Sequence, residues 1–307
     1  MKMHPWSPLY IIGNGFDRYH NIPSNYRDFG NYLKKVDPEI YSEVETYFCV
    51  DDQFWWEFEA QLANFDADTA IENTSDFLVS YAAEDWSDSY HHDYQYELTR
   101  IVDAISASMR NHFANWVRQL PIPAMGTWAG TPLPLDKNAR YLNFNYTQTL
   151  QQTYGIPSAH ILHIHGNASN PSDQIVLGHG WHRSPRDSRN HGIELSEADT
   201  REIEGNQIVD DYFSKTFKPT NQIIEQQQSF FSSLKSIRQI LVMGHSLSEV
   251  DAPYLKEIIR NVDSSAVTWQ VSYYSDPTDA QEKLSALGVD LSLATFSRLN
   301  DVHAWKY

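Results

Sequence analysis

The chain has 307 residues and a single cysteine, Cys49, which excludes a disulfide framework and a thiolate zinc site. Positive charge is also scarce: 23 Lys and Arg stand against 40 Asp and Glu, a formal charge of −17. Such a balance repels the nucleic-acid backbone and disfavours nonspecific DNA or RNA binding. No apolar run reaches the roughly 18 residues that a membrane span needs, and Met1-Lys2-Met3-His4-Pro5 lacks the apolar core of a signal peptide. The expected location is therefore the cytoplasm. No Gly-x-x-x-x-Gly-Lys-Ser/Thr run occurs, which argues against a P-loop phosphotransferase. The nucleophile elbow Gly-x-Ser-x-Gly is missing as well, because Gly244-His245-Ser246-Leu247-Ser248 fails its last position.

What is present is an ordinary globular balance, 41% hydrophobic and 21% charged, with many aromatics, including 9 Trp and 18 Tyr. The most informative stretch is Leu9-Tyr10-Ile11-Ile12-Gly13-Asn14-Gly15-Phe16-Asp17. An apolar run that stops at a glycine pair reads as a strand buried on both faces, followed by a sharp turn into a helix. That geometry points amide N–H groups at a phosphate, although the full dinucleotide fingerprint has a third glycine or alanine where this chain has Arg18. An ordinary tight turn is the alternative.

Further along, a helix is expected over 24–35 with Ser24 as its cap. From 39 to 120 the pattern is helical, most clearly at Leu98, Ile101, Val102, Ile105, Met109, Phe113, Trp116, Val117 and Leu120. Phe54, Trp55, Phe58, Leu62 and Phe65 make a second stripe. With the Pro- and Gly-rich loop over 121–134, this block reads as a helical insertion, 39–135, within a single α/β domain spanning 1–307. Strands are expected over 139–144, 160–164, 174–177, 239–243, 267–273 and 291–296. Helices are expected from 147 to Gly155, over 196–236, from about 250, and over 278–287. Alternating strands and helices give a Rossmann-like parallel sheet flanked by helices.

Four strands end in polar residues beside glycines or their equivalents: Gly13-Asn14-Gly15, Asn145-Tyr146-Thr147, His165-Gly166 and Gly244-His245-Ser246. Ligands of open parallel sheets sit at the carboxyl ends of strands, so these endings are expected to line one cleft. Each has a plainer reading too. His165 would hydrogen-bond a backbone carbonyl; Asn145 or Asp17 would cap a helix; Ser246 or Ser248 would cap the next helix, whose first turn favours Asp251 through the dipole. Trp56 reads as a core side chain and Glu59 as a solvated carboxylate. His163, His165, His179 and His182 form a candidate transition-metal set, and a metal-dependent hydrolase or nuclease is the corresponding alternative.

Taken in order, several motifs resemble the abortive infection proteins of the AbiH type. They are Gly13-Asn14-Gly15-Phe16-Asp17 with His20, Pro23 and Tyr26; Trp56 with Glu59 and Leu62; Phe144-Asn145-Tyr146-Thr147; His163-Ile164-His165-Gly166; and Gly244-His245-Ser246 with Asp251. That family is in turn distantly similar to sirtuin-like NAD-binding domains, with Asn14 in place of a small middle residue and Thr147 where aspartate is usual. The resemblance implies an anti-phage effector that binds NAD or a related nucleotide and hydrolyses the nicotinamide N-glycosidic bond, with NAD as substrate or ligand and no further cofactor. It implies His165 as general base, Asn145 at the ribose or the attacking water, and Asp17 at the hydroxyls or the carbocation charge. Gly13, Asn14, Gly15, Phe16, Thr147, Gly244, His245, Ser246 and Asp251 would bind the nucleotide. A nucleotide sensor without turnover is the rival, and the aromatic insertion is the expected surface for a second copy or a partner protein.

Overall fold

A computed structural model describes residues 8–84, 87–194 and 198–304. The opening Met1-Lys2-Met3-His4-Pro5 and the expected helix start at Ser196 lie outside them. The chain divides into two compact units.

The first unit takes in Met1–Asn25, Ala114–Val176 and Pro219–Tyr307. Its centre is a six-stranded sheet of β1 (Leu9–Ile12), β2 (Arg140–Asn143), β3 (Ile161–His163), β4 (Gln239–Met243), β5 (Thr268–Tyr273) and β6 (Ala294–Arg298). Every pairing is parallel and the spatial order is β3-β2-β1-β4-β5-β6. The sheet is Rossmann-like, as its run of apolar strands implied.

β1 shows why such a strand carries no polar residue. Leu9 and Ile11 pack into one core with Val242, Leu255, Ile258 and Trp269. Tyr10 and Ile12 face the opposite way into a second core with Phe16, Tyr141, Leu150 and Val302. Side chains alternate along a strand, so a strand covered on both faces must be apolar throughout. Tyr10 stacks on Tyr141 at 4.8 Å between ring centroids. The helix Thr149–Tyr154 ends at Gly155, whose φ of 67° suits glycine in a left-handed cap.

Segment 174–177 differs from the strand expected there. It joins no ladder: Val176 donates its N–H to His165 O, and Tyr146 Oη donates to Val176 O. Ser24 also differs, because the helix that follows begins only at Tyr26 and the Ser24 hydroxyl is directed to Asn14.

The second unit, Tyr26–Phe113 with Leu177–Lys218, is helical. It joins the block expected as an insertion to a later segment whose helix is Thr200–Lys215. Its interior is aromatic, with Phe29 against Phe58 and Phe113, and Phe65 against Tyr212 at 4.5 Å. Trp55 packs inward at 8% exposure, whereas Trp56, expected in the core, stands 73% exposed. Glu59 is no solvated carboxylate: it accepts from Tyr26 Oη at 2.7 Å and pairs with Lys218, which is fully buried. No helix among the described residues is long and apolar enough to cross a membrane.

Candidate functional site at the carboxyl edge of the sheet

Register sets the level of the strand endings. Ile12, Asn143, His163 and Met243 form one row across β1, β2, β3 and β4. One residue further along each chain come Gly13, Phe144, Ile164 and Gly244; the next are Asn14, Asn145, His165 and His245. The sheet thus delivers the polar residues of four loops to one edge, where open parallel sheets bind ligands.

The glycines let two of these loops interlock. Gly13 N–H donates to Met243 O at 3.0 Å, and Gly15 N–H donates to Gly244 O at 2.7 Å. A Cβ on Gly13 would meet His245 Cα at 2.5 Å, and one on Gly15 would meet Gly244 Cα at 2.8 Å. Gly244 has φ of +69°, and its Cβ would fall 2.1 Å from Phe16 N. The glycines are required by the close passage of two backbones, and the Gly13 and Gly15 amides are engaged within the protein. Gly244→Ala is therefore expected to destabilise by about 2 kcal/mol or more, combining left-handed strain with a backbone clash. A urea unfolding midpoint equal to that of the wild type would contradict this account.

Asp17 closes the gap between the β1 and β2 loops. It is 1% exposed, and its two carboxylate oxygens accept from Thr147 Oγ1 and Thr149 Oγ1, each at 2.6 Å. Burial pushes its pKa up to about 6, opposed by the hydroxyls of Thr147 and Thr149 and the amide of Asn145. Between about pH 4 and pH 6 the folded protein holds a proton here that the unfolded chain has released. Stability from this group is thus present at low pH and falls by roughly 3 kcal/mol as pH rises through that window. Asp17→Asn should remove that decline, since the threonine hydroxyls can turn to accept from an amide. Chemical denaturation at pH 4 and pH 7 checks it; parallel profiles for variant and wild type would show that Asp17 titrates normally.

Asn145 is held at three points. Its Nδ2 donates to Gly13 O at 3.0 Å, its N–H donates to Asn143 Oδ1 at 3.1 Å, and its carbonyl accepts from His163 Nδ1 at 3.1 Å. His163 Nε2 then accepts from Gln151 Nε2 at 2.9 Å. Burial lowers the His163 pKa, so this ring is neutral and supports the Asn145 loop. Asn14 is engaged reciprocally with Ser24, whose carbonyl accepts from Nδ2 at 2.9 Å and whose hydroxyl donates to Oδ1 at 2.6 Å. His20 faces the Phe16 carbonyl at 2.7 Å and the Tyr154 hydroxyl at 2.6 Å, which fixes the following turn.

His165 and His245, two residues past β3 and β4, are buried at 2% and 7%. They share Asp251, with His165 Nε2 at 3.6 Å from Oδ1 and His245 Nε2 at 3.4 Å from Oδ2. The Phe144 ring lies edge-on to both imidazoles, 5.3 Å and 4.3 Å between centroids. Ser246 is exposed, and its carbonyl accepts from Lys283 Nζ at 3.2 Å. Asn143, Thr149 and Ser272 belong to this edge and carry no motif in the sequence; their only cue is position, in or within several residues of a strand end. Ser272 Oγ accepts the Gly244 N–H at 2.7 Å. Ser248, expected as a helix cap, stands at the N-cap of Glu249–Asp251 but makes no capping bond, and its Oγ donates to Asp251 Oδ2 at 3.0 Å.

The proposed metal set finds no support. Among the described residues, no group of three or more His, Cys, Asp or Glu is arranged to hold a metal ion. His163 has both ring nitrogens in contact with Asn145 and Gln151, which explains why it does not join a ligand set.

No curated protein and no solved structure was found to match the chain. The sequence model described as bacteriophage abortive infection AbiH matches residues 9–273, from the first strand through β5 and including every motif at this edge. The chain therefore belongs to the AbiH family of bacteriophage abortive infection proteins.

Proposed function

We propose that the protein serves abortive infection by binding NAD or a related nucleotide at the carboxyl edge of its sheet and hydrolysing the nicotinamide N-glycosidic bond. The observation that carries this reading is the alignment of Asn145 and His165, each buried and each fixed by neighbours, two residues beyond adjacent parallel strands. In the proposed reaction the bond from ribose C1′ to the nicotinamide nitrogen breaks, and its electron pair neutralises the pyridinium. A water oxygen bonds to C1′, and His165 receives the proton that this water loses. Asn145 orients the water or the ribose hydroxyl. A histidine suits the step because its ordinary pKa near 6.5 leaves it largely neutral at cytoplasmic pH.

Two residues take altered roles in this scheme. Asp17 acts through the loop that it ties to Thr147 and Thr149, because both its oxygens already accept hydroxyl protons. Gly13, Gly15 and Gly244 act by bringing the β1 and β4 endings together. The diphosphate contacts would then fall to groups other than the Gly13 and Gly15 amides.

The test is to incubate purified protein with NAD and measure nicotinamide and ADP-ribose by chromatography. Equimolar release of the two supports the proposal. Saturable NAD binding without product favours the sensor reading, and neither binding nor turnover removes NAD from consideration.

A further inference from the structure

The Gly13 and Gly15 N–H groups, which would ordinarily face a phosphate, already donate to Met243 O and Gly244 O. The helix that follows, Asn14–Tyr19, has six residues and so sums few peptide dipoles. A phosphate at this edge therefore calls for a cationic side chain. Arg18 stands where the dinucleotide fingerprint has its third glycine. We propose that Arg18, braced by Tyr274, is a diphosphate-binding residue of this edge. That the diphosphate is a nucleotide's rests on the proposed function; the anion contact itself rests on geometry.

Sheet topology puts both residues at the point where the strand order reverses. β2 and β3 lie on one side of β1, whereas β4, β5 and β6 lie on the other. Dinucleotides bind across such a boundary, outside the carboxyl ends of the strands. Arg18 belongs to the last turn of the helix after β1, and Tyr274 directly follows β5. Their contact, 5.5 Å from Arg18 Cζ to the ring centroid, bridges the β4 ending, because β4 stands between β1 and β5. That ending is itself anchored to both neighbours: Gly15 N–H donates to Gly244 O, and Gly244 N–H donates to Ser272 Oγ.

The Arg18 guanidinium has its donors available. Among the described residues it makes no hydrogen bond and no ion pair, although it is partly buried in a chain of formal charge −17. Arg100, Arg183, Arg189 and Arg201, by contrast, are each paired with a carboxylate. Lying over an aromatic face engages the plane of a guanidinium and leaves free its N–H edge, the fork that grips two phosphate oxygens. Tyr274 is 82% exposed, so it steadies the arginine without walling it off from a ligand. A cation in the last turn also suits the helix dipole, but the dipole asks for no contact with a ring beyond β5.

Titration calorimetry of the full chain tests the proposal with NAD, ADP-ribose and inorganic pyrophosphate, and with adenosine as the probe that lacks phosphate. Arg18→Gln is expected to weaken the three phosphate-bearing probes by about 10- to 100-fold and to leave adenosine unaffected, with a loss that narrows as salt rises. Arg18→Lys, which keeps the charge and loses the fork, should fall between Arg18→Gln and wild type. Tyr274→Leu, which keeps the charge and loses the brace, should weaken the same three probes by about two- to fivefold. Urea midpoints equal to the wild type's establish that the variants are folded. Should Arg18→Gln not fold, Arg18→Lys decides, and wild-type affinities in it overturn the proposal. Phosphate-probe affinities within twofold of wild type in folded Arg18→Gln also overturn it, as does wild-type protein that binds none of the three. A loss that extends equally to adenosine makes Arg18 a structural residue and overturns it too. Arg18-dependent binding of pyrophosphate without NAD binding or turnover removes the proposed function and keeps the anion contact.

Discussion

His165→Ala is expected to lower kcat for NAD hydrolysis by about 10²- to 10⁴-fold while leaving NAD affinity within a few-fold. The range corresponds to about 3–5 kcal/mol of transition-state stabilisation, the usual worth of a positioned base. Residual turnover should persist because Asn145 does not depend on the imidazole: its contacts run to Gly13, Asn143 and His163. The substitution vacates a small buried volume beside Phe144 and Tyr254, so the variant must first be shown to unfold cooperatively near the wild-type midpoint. Nicotinamide release and calorimetric NAD binding then separate the two roles. A wild-type rate would remove His165 as the base. Joint loss of turnover and binding in a folded variant would instead make it a ligand contact.

The sheet was legible because strands covered on both faces are apolar throughout, as Leu9–Ile12 and Gln239–Met243 are nearly so. The endings were legible because a parallel sheet has one functional edge, so Asn145, His165 and His245 were expected together before any register was known. Segment 174–177 was misjudged because Ile175-Val176-Leu177 has strand composition, while its hydrogen bonds go to His165 and Tyr146 and not to a neighbouring strand. The purpose of the glycines was also hidden. A phosphate turn and a close crossing of two backbones both demand a missing Cβ, and only the contact of Gly244 with Gly15 and Phe16 distinguishes them. Polar pairs over long sequence separations leave no local trace. Asp17 with Thr147 and Glu59 with Lys218 are therefore findings of the structure, as is the exposure of Trp56 beside the buried Trp55.

The Glu59–Lys218 pair should carry the largest stability effect in the helical unit. Lys218 is fully buried, the Glu59 side chain is 14% exposed, and Tyr26 Oη donates to the second carboxylate oxygen. Main-chain bonds to His179 fix the backbone of Lys218, whose N–H donates to His179 O at 2.8 Å, so the side chain has little freedom to reach water. Glu59→Gln removes the compensating charge and is expected to cost about 3–5 kcal/mol near neutral pH. Replacing both partners with methionine should recover most of that loss, because an apolar pair of similar volume avoids the desolvation of two ions. Urea titrations of the single and double variants at pH 7 test these expectations. A Glu59→Gln protein within about 1 kcal/mol of the wild type at pH 7 would show that other groups already compensate the lysine, and that the pair contributes specificity of packing more than stability.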